Sequence, residues 1–352
     1  MSDRVEPLPD VFAIKLAGTG GLDVLQIREM EIPGPASDEV IIKVAAAGVN
    51  RGDVKQRMGD YPMAKDFPWG LGLEVSGWVT DVGSSVTEFG PGDAVCALLV
   101  GGGYATHCSA PAAQCVPVPK GCNIIDAAAL PEVFCTVWMA LVEQVGIQPG
   151  QSLLIHGGTS GIGTAAIQIA KSLGMTVIAT AGTQEKLAVC LDLGADRAIN
   201  YRTQDFVEKV LEYTGGQGVD VILDMVGGSY LERNLDCLAQ RGTICAIASD
   251  ENPKSEFSTR KVMLKRAKIT GCTLRHRSVA EKCKILADLE SRIWPLFEMG
   301  HIRPVVGARF ALEDAAAAHE ALEAGNTIGK ILLTTSSAEP TLVGRTGQHV
   351  KP

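Results

Sequence analysis

The spacing of apolar positions changes twice along this chain, and each change marks a change of architecture. In the first part, apolar residues come in short β-branched runs: 40–44, 75–82 and 94–100. Turn residues such as those from Phe89 to Asp93 separate them, and such runs between turns predict strands. From Asp126 an Ala-rich stretch with helical spacing continues to Val145, closed by Gly146, Pro149 and Gly150. Strand and helix then alternate. The pattern predicts strands at 152–156, 176–180, 198–201, 219–225 and 243–248. It predicts helices at 162–173, 184–193 and 230–238, and one starting from Thr203 as N-cap. This alternation predicts a parallel sheet with helices on both faces. After a helix end at 294–300 the pieces shorten again, to a helix at 313–324 and a strand at 330–334. A strand closing the chain after the alternating block predicts a return to the first domain. The tail from Ser336 is polar and aperiodic and is expected to be disordered.

Composition narrows this picture. The chain has 352 residues, which at roughly 150 per domain suggests two domains. A hydrophobic share of 46% is ample for a large core, and a net charge of -8 argues against a nucleic-acid or anionic-membrane surface, both of which need clustered Lys and Arg. The 10 cysteines form no C-x-x-C pair and sit mostly in apolar runs, as buried thiols of a reducing compartment do. The first ten residues read as neither a secretory signal nor a transit peptide. No apolar stretch is expected to reach the ~20 residues of a membrane span. The expected location is the cytoplasm.

The chemistry is carried first by the string from Leu154 to Gly163, which holds Gly157, Gly158, Thr159, Ser160, Gly161 and Ile162. It lies between a predicted buried strand and an amphipathic helix, as a dinucleotide site requires. The glycines let the backbone approach a pyrophosphate, and the helix N-terminus offers free N–H groups. Ser160 stands in the second place of the G-x-G-x-x-G pattern and is expected to add a hydroxyl there. The string also looks like the loop of short-chain dehydrogenases, which need a downstream Tyr-x-x-x-Lys. Tyr201, Tyr213 and Tyr230 are followed four places later by Asp205, Gln217 and Asn234, and Tyr61 with Lys65 lies far upstream, so that family is rejected.

Further segments complete a resemblance: Val49-Asn50-Arg51-Gly52-Asp53, Gln56 to Pro62, Leu71 to Gly77, Gly101 to Tyr104, Leu274-Arg275-His276-Arg277 and Ile328-Gly329-Lys330-Ile331. With the loop, they make a chain that resembles the medium-chain dehydrogenase/reductase superfamily over about residues 11–335. Within it, the chain resembles the zinc-free quinone oxidoreductase branch, in the p53-inducible quinone oxidoreductase-like subgroup. The resemblance implies an α/β fold with a GroES-like β-rich substrate domain at 11–125, a doubly wound Rossmann domain at 126–304, and a return to the first domain at 305–335. Where the zinc enzymes of this superfamily carry a Cys and a His ligand, this chain has Asn50 and Leu73. Catalytic zinc needs three protein ligands, so no metal is expected.

The resemblance also implies NADPH as cofactor, a quinone or enone as substrate, and a homodimer. Asn50 and Tyr61 match polar active-site positions, as a donor and as an orienting or proton-supplying group; the plainer readings are a turn Asn and a surface Tyr. Thr136, Thr273, Leu274, Arg275 and Lys330 match positions near the nicotinamide end, whereas Ala248-Ser249-Asp250-Glu251-Asn252 stands where members of the subgroup carry a Gly-rich segment beside the nicotinamide, a departure that leaves Ala248 at the cofactor. For Lys330 the plainer reading is an exposed residue before the last strand. Asp53 is expected to cap a helix and Glu74 to form a salt bridge. At the other end of the cofactor, no acid stands where an NAD-selective fold places one at the end of its second strand. Gly182, Thr183, Lys186 and Tyr201 stand there instead, and suit a 2′-phosphate. The leading reading is an NADPH-dependent quinone oxidoreductase. The alternatives are a reductase of activated carbon–carbon double bonds and a low-turnover NADPH-binding redox sensor or structural protein.

Overall fold

The computed structural model describes residues 8–61, 70–249 and 254–336. Strands β1 (Leu8–Leu16) and β2 (Leu25–Ile32) pair antiparallel. Then come β3 (Glu39–Val49), helix α1 (Arg51–Met58), β4 (Glu74–Val82), β5 (Ala94–Leu98), β6 (His107–Pro111) and β7 (Cys115–Pro117). The alternating block holds α2 (Pro131–Trp138), β8 (Ser152–Ile155), α3 (Gly161–Ser172), β9 (Thr176–Ala181), α4 (Gln184–Asp192), β10 (Arg197–Asn200), α5 (Phe206–Tyr213) and β11 (Val219–Asp224). It continues with α6 (Tyr230–Cys237), β12 (Leu238–Ala246), α7 (Thr259–Lys265), β13 (Lys268–Gly271), α8 (Val279–Arg292) and α9 (Trp294–Glu298). The chain closes with β14 (Val306–Ala311), α10 (Ala315–Ala324) and β15 (Lys330–Thr334).

Two sheets organise these elements. A mixed sheet runs β14-β15-β3-β4-β5-β7, with β6 beside β3, so the last two strands pair with the first part of the chain. The second sheet is parallel, in the order β10-β9-β8-β11-β12-β13. The middles of its central strands are apolar on both faces because both faces are covered. Leu153, Ile155, Val177, Ala179, Val221 and Leu223 pack to one side, and Leu154, Ile178 and Ile222 to the other. The strand order reverses between β8 and β11. That places a crevice beyond the carboxyl end of β8, where doubly wound sheets bind ligands.

Several predicted elements differ in detail. The helix over 126–145 is three pieces: a 3-10 turn at Asp126–Ala129, α2, and a π-helical turn at Met139–Val145. Pro131 takes the first position of α2, where its missing N–H leaves no bond unmade. Gly146, at φ 71°, ends the last piece. Contrary to expectation, Asp126–Val145 is long and apolar enough to cross a membrane, but 67% of that window is buried inside the protein. The helix expected to start from Thr203 is capped instead by Asp205, whose carboxylate accepts from the backbone N–H of Val207 at 2.7 Å and Glu208 at 3.4 Å. The hairpin β1–β2, strands β6, β7, β13 and β14 and helices α7 and α8 were not anticipated, nor were the bounds of α1. For α8 the signal was present as a capping box of Ser278 and Glu281. Residues 337–352, most of the expected disordered tail, lie outside the described residues.

Candidate cofactor and acceptor site

The crevice is built from backbone first. Gly157 turns at φ 65°. Beyond it, the Gly158 N–H donates to the Thr180 carbonyl at 2.8 Å. A Cβ on Gly158 would lie 2.7 Å from Cys190 Sγ and 2.8 Å from Ala179 Cβ, and one on Gly163 would lie 2.3 Å from the Gly157 oxygen. These glycines therefore let the loop fold onto the sheet and bring the N-terminus of α3 over the carboxyl end of β8. Ser160 is the N-cap of α3: its Oγ accepts from Gly163 N–H at 3.0 Å and faces Met225 Sδ at 3.4 Å. The hydroxyl expected at the pyrophosphate thus also closes the helix end. Thr159 is buried and accepts from Gly329 N–H at 2.8 Å, which ties the loop to the returning chain. Ile162 is half-buried in the first turn of α3.

At the far end, Thr183 caps α4, accepting from Lys186 N–H at 3.2 Å. The Lys186 ammonium donates to the Gly325 carbonyl at the end of α10, 2.8 Å away, so it clasps the two sheets' elements together. A Cβ on Gly182 would stand 2.9 Å from the Tyr201 hydroxyl and 3.0 Å from Arg202 Nε. Gly182, Tyr201 and Arg202 therefore converge on one spot. Arg202 was missed in the sequence. It has no local signal there: the parallel register of β10 on β9, Asn200 opposite Ala181, brings residues 201 and 202 beside Gly182.

The acceptor end is a buried polar cluster. Lys330, expected near the cofactor, is only 5% exposed. Its ammonium donates to the Val49 carbonyl at 3.0 Å and to Asn50 Oδ1 at 2.6 Å. It also pairs with Glu74 Oε1 at 2.7 Å. Its methylenes lie on the cofactor loop, where a Gly161 Cβ would meet Lys330 Cδ at 2.6 Å. The surface reading of Lys330 is thereby corrected, and Glu74 has the salt bridge expected of it. Asn50 donates from Nδ2 to Glu74 Oε1 at 3.0 Å and to the Gly48 carbonyl at 3.3 Å. Its amide hydrogens are thus already taken within the protein, and the donor to an acceptor molecule expected of Asn50 is instead a brace for Lys330 and Glu74.

Asp53 caps α1 as expected, accepting from Asn50 N–H at 2.9 Å, and it also accepts from Gly72 N–H at 2.8 Å and the Tyr104 hydroxyl at 3.2 Å. Burial pushes its carboxyl up to about 6, with the Gly72 and Asn50 hydrogen bonds working the other way. Tyr61 stacks on His276, with centroids 5.9 Å apart, and lies under the Arg275 guanidinium at 4.9 Å. Burial raises its phenol, and the nearby Arg275 charge opposes that shift.

Other expected residues fall elsewhere. The Arg275 guanidinium donates to the Val100 carbonyl and Gln56 Oε1, each at 2.8 Å, which bridges the two sheets' domains. Leu274 is buried in the core of the parallel-sheet domain. Thr273 is exposed and Ala248 is exposed. The departure noted after β12 continues into 250–252, outside the described residues. Thr136 is half-buried on α2. One turn earlier on that helix stands Glu132, which sequence reasoning missed. Its N–H donates to Glu74 Oε2 at 2.8 Å, and burial, then the Glu74 charge, pushes its carboxyl up to about 8. Its signal was an acid set inside an apolar run.

The residues present do not fit a zinc ion. Leu73 is buried and has no donor atom, and the oxygens of Asn50 and Glu74 already hold the Lys330 ammonium. A pair of family models matches the chain: an alcohol dehydrogenase GroES-like domain at residues 36–120 and a zinc-binding dehydrogenase at 161–289. The chain is 31% identical to a quinone oxidoreductase of Homo sapiens, covering 91% of this chain and 97% of that one. Among solved structures, it resembles the Escherichia coli quinone oxidoreductase complexed with NADPH, with a TM-score of 0.83 and 32% identity over 92% of this chain and 99% of that one. It also resembles the CurK enoyl reductase, with a TM-score of 0.81 and 27% identity over 93% and 99%.

Proposed function

The chain belongs to the quinone oxidoreductase branch of the medium-chain dehydrogenase/reductase superfamily, and on that premise we propose that it is an NADPH-dependent quinone oxidoreductase that works without a metal. Residues 11–125 with 305–335 form the substrate domain in this reading, and 126–304 the cofactor domain. NADPH, when bound, supplies a hydride. The protein's part is to hold the pyrophosphate on the α3 N-terminus, set the acceptor beside Tyr61, and surround it with the fixed charges of Lys330 and Arg275. The observation that carries the reading is the loop of Gly157, Gly158 and Gly163 packed onto the sheet and backed by Lys330. The test is NADPH oxidation with quinones and with enals, products identified. Hydroquinone supports the proposal. Saturated carbonyl with no hydroquinone replaces it with the second reading, reduction of activated double bonds, which the likeness to the CurK enoyl reductase favours.

NADPH rather than NADH is expected because Gly182 carries no side chain and the Tyr201 hydroxyl and Arg202 guanidinium stand beside it, a donor and a positive charge that suit a 2′-phosphate. Arg202→Ala should lower kcat/KM for NADPH by roughly 10- to 150-fold, the effect of about 1.5–3 kcal/mol for a hydrogen bond to a charged group, and leave NADH nearly unchanged. Lys186→Ala should have a smaller effect on that ratio, its ammonium being engaged by Gly325. Equal losses with both cofactors would remove the assignment.

The homodimer and the cytoplasmic location also belong to this reading. β13 is an edge of the parallel sheet. Beside it, Met263, Leu264 and Ile269 are 74%, 65% and 40% exposed. An apolar edge strand of this kind pairs with another strand, and a second copy would continue the sheet. Sedimentation should give a dimer for the wild type and a monomer for a Leu264→Lys, Ile269→Lys variant. A monomeric wild type would dismiss the interface.

A further inference from the structure

We propose that Glu132 is the acid that protonates the acceptor as it is reduced; this rests on the reductase reading above. The case begins with the face of α2. Val133, Phe134, Cys135, Val137 and Trp138 are 0–3% exposed, packed in the core. Glu132 and Thr136, four residues apart, are the half-buried ones. Residues at this spacing share a helix face, and this is the face turned to the polar cluster.

The charged groups around the carboxyl come from several elements. Glu74 stands on β4, Lys330 on β15, Asp53 on α1 and Lys282 on α8, and Tyr61 follows α1. The cations among them are already engaged. The Lys330 ammonium has three acceptors, Val49, Asn50 and Glu74, and Lys282 donates to the Arg275 carbonyl at 2.9 Å. The Glu132 carboxyl itself makes no hydrogen bond to a side chain or backbone group among the described residues. Its hydrogen is therefore available to whatever enters beside Tyr61.

Burial and the Glu74 charge keep that carboxyl protonated at neutral pH, being pushed up to about 8. The two buried acids that share this cluster are disqualified. Asp53 is enclosed by its own three donors, and Glu74 is held by Lys330. An acid with this ionisation range suits general acid catalysis at neutral pH.

The step balances. The acceptor gains an electron pair with the hydride, and negative charge develops on its oxygen. The Glu132 O–H bond breaks, its electron pair stays on the carboxylate, and the proton forms the new O–H bond. After product leaves, the carboxylate takes a proton from water. The sum is acceptor plus NADPH plus one proton, giving reduced acceptor and oxidised cofactor.

Glu132→Gln keeps the shape of the protonated side chain and loses the proton. Turnover should fall about 100- to 10,000-fold, the range for a lost general acid, with NADPH affinity within about twofold of wild type. The donor works only while protonated, so wild-type kcat should decline as pH rises through about 8, and that alkaline limb should be missing in the variant. Infrared difference spectra of the protein without cofactor give a second readout. A protonated carboxyl band should disappear as pH passes about 8 and be absent from Glu132→Gln. An active wild type whose Gln variant turns over equally fast with the same alkaline limb overturns the assignment, as does a carboxyl that titrates near 4.5. A wild type that oxidises NADPH with neither quinones nor enals overturns the reductase reading, and the acid with it.

Discussion

Lys330→Met is expected to destabilise the protein by about 3–5 kcal/mol, the cost of leaving one member of a buried ion pair without its partner. Glu74 is fully buried, and its Oε1 lies 2.7 Å from the Lys330 ammonium. Methionine keeps most of the stem that covers Gly161 but removes the charge, so the effect reads the pair rather than the packing. Three acceptors lose the ammonium at once: the Val49 carbonyl, Asn50 Oδ1 and the Glu74 carboxylate, which keeps only the neutral donors Asn50 Nδ2 and Glu132 N–H. Adding Glu74→Gln to the same chain should restore a large part of the loss, because neutral partners of similar shape remove the stranded charge. Denaturant melts of the single and double variants, without cofactor, measure both terms. A single variant within about 1 kcal/mol of wild type, the size of a surface pair, would mean that the pair is not buried in solution.

Gly163→Ala is expected to weaken NADPH binding by at least about 100-fold, about 2.8 kcal/mol at 1.4 kcal/mol per tenfold. The added Cβ would meet the Gly157 oxygen at 2.3 Å and Gly158 Cα at 2.7 Å. Both are backbone atoms of the loop itself, so no side chain can rotate away. The helix must retreat from the strand, carrying its N–H groups off the crevice. Gly90→Ala is the control. A Cβ there meets nothing within 4 Å, so stability and affinity should stay within about 0.5 kcal/mol of wild type. Titration of NADPH fluorescence separates the two outcomes, and undiminished affinity in Gly163→Ala would show that the loop tolerates the displacement.

Much of the molecule could be read along the chain. Alternation of 152–248 between apolar strands and amphipathic helices required a parallel sheet, because only strands covered on both faces are apolar at every position. The loop after β8 was legible for a related reason. A glycine cluster between such a strand and helix has local geometric causes, and these residues are near neighbours in sequence. Caps contained in a few residues were half legible. Asp53 took its expected place, while Asp205 displaced Thr203 because a carboxylate accepted two backbone N–H groups where a hydroxyl could be imagined to accept one.

The acceptor end was decided only by tertiary structure. Lys330 reads as an ordinary lysine before a strand until β15 is laid beside β3, which brings it across 280 positions of sequence to Asn50. Asn50 then changes from donor to brace, since its hydrogens are claimed by Glu74 and Gly48. Arg202 comes beside Gly182 only through the register of β10 on β9. Glu132 looks like a misplaced charge in an apolar helix, and its ionisation depends on burial and on Glu74, which sits 58 positions earlier in the chain. Sequence pattern determines what a segment buries through its own periodicity. Charges and amides acquire their roles from partners far along the chain, because a buried polar group is stable only where the fold brings it a partner.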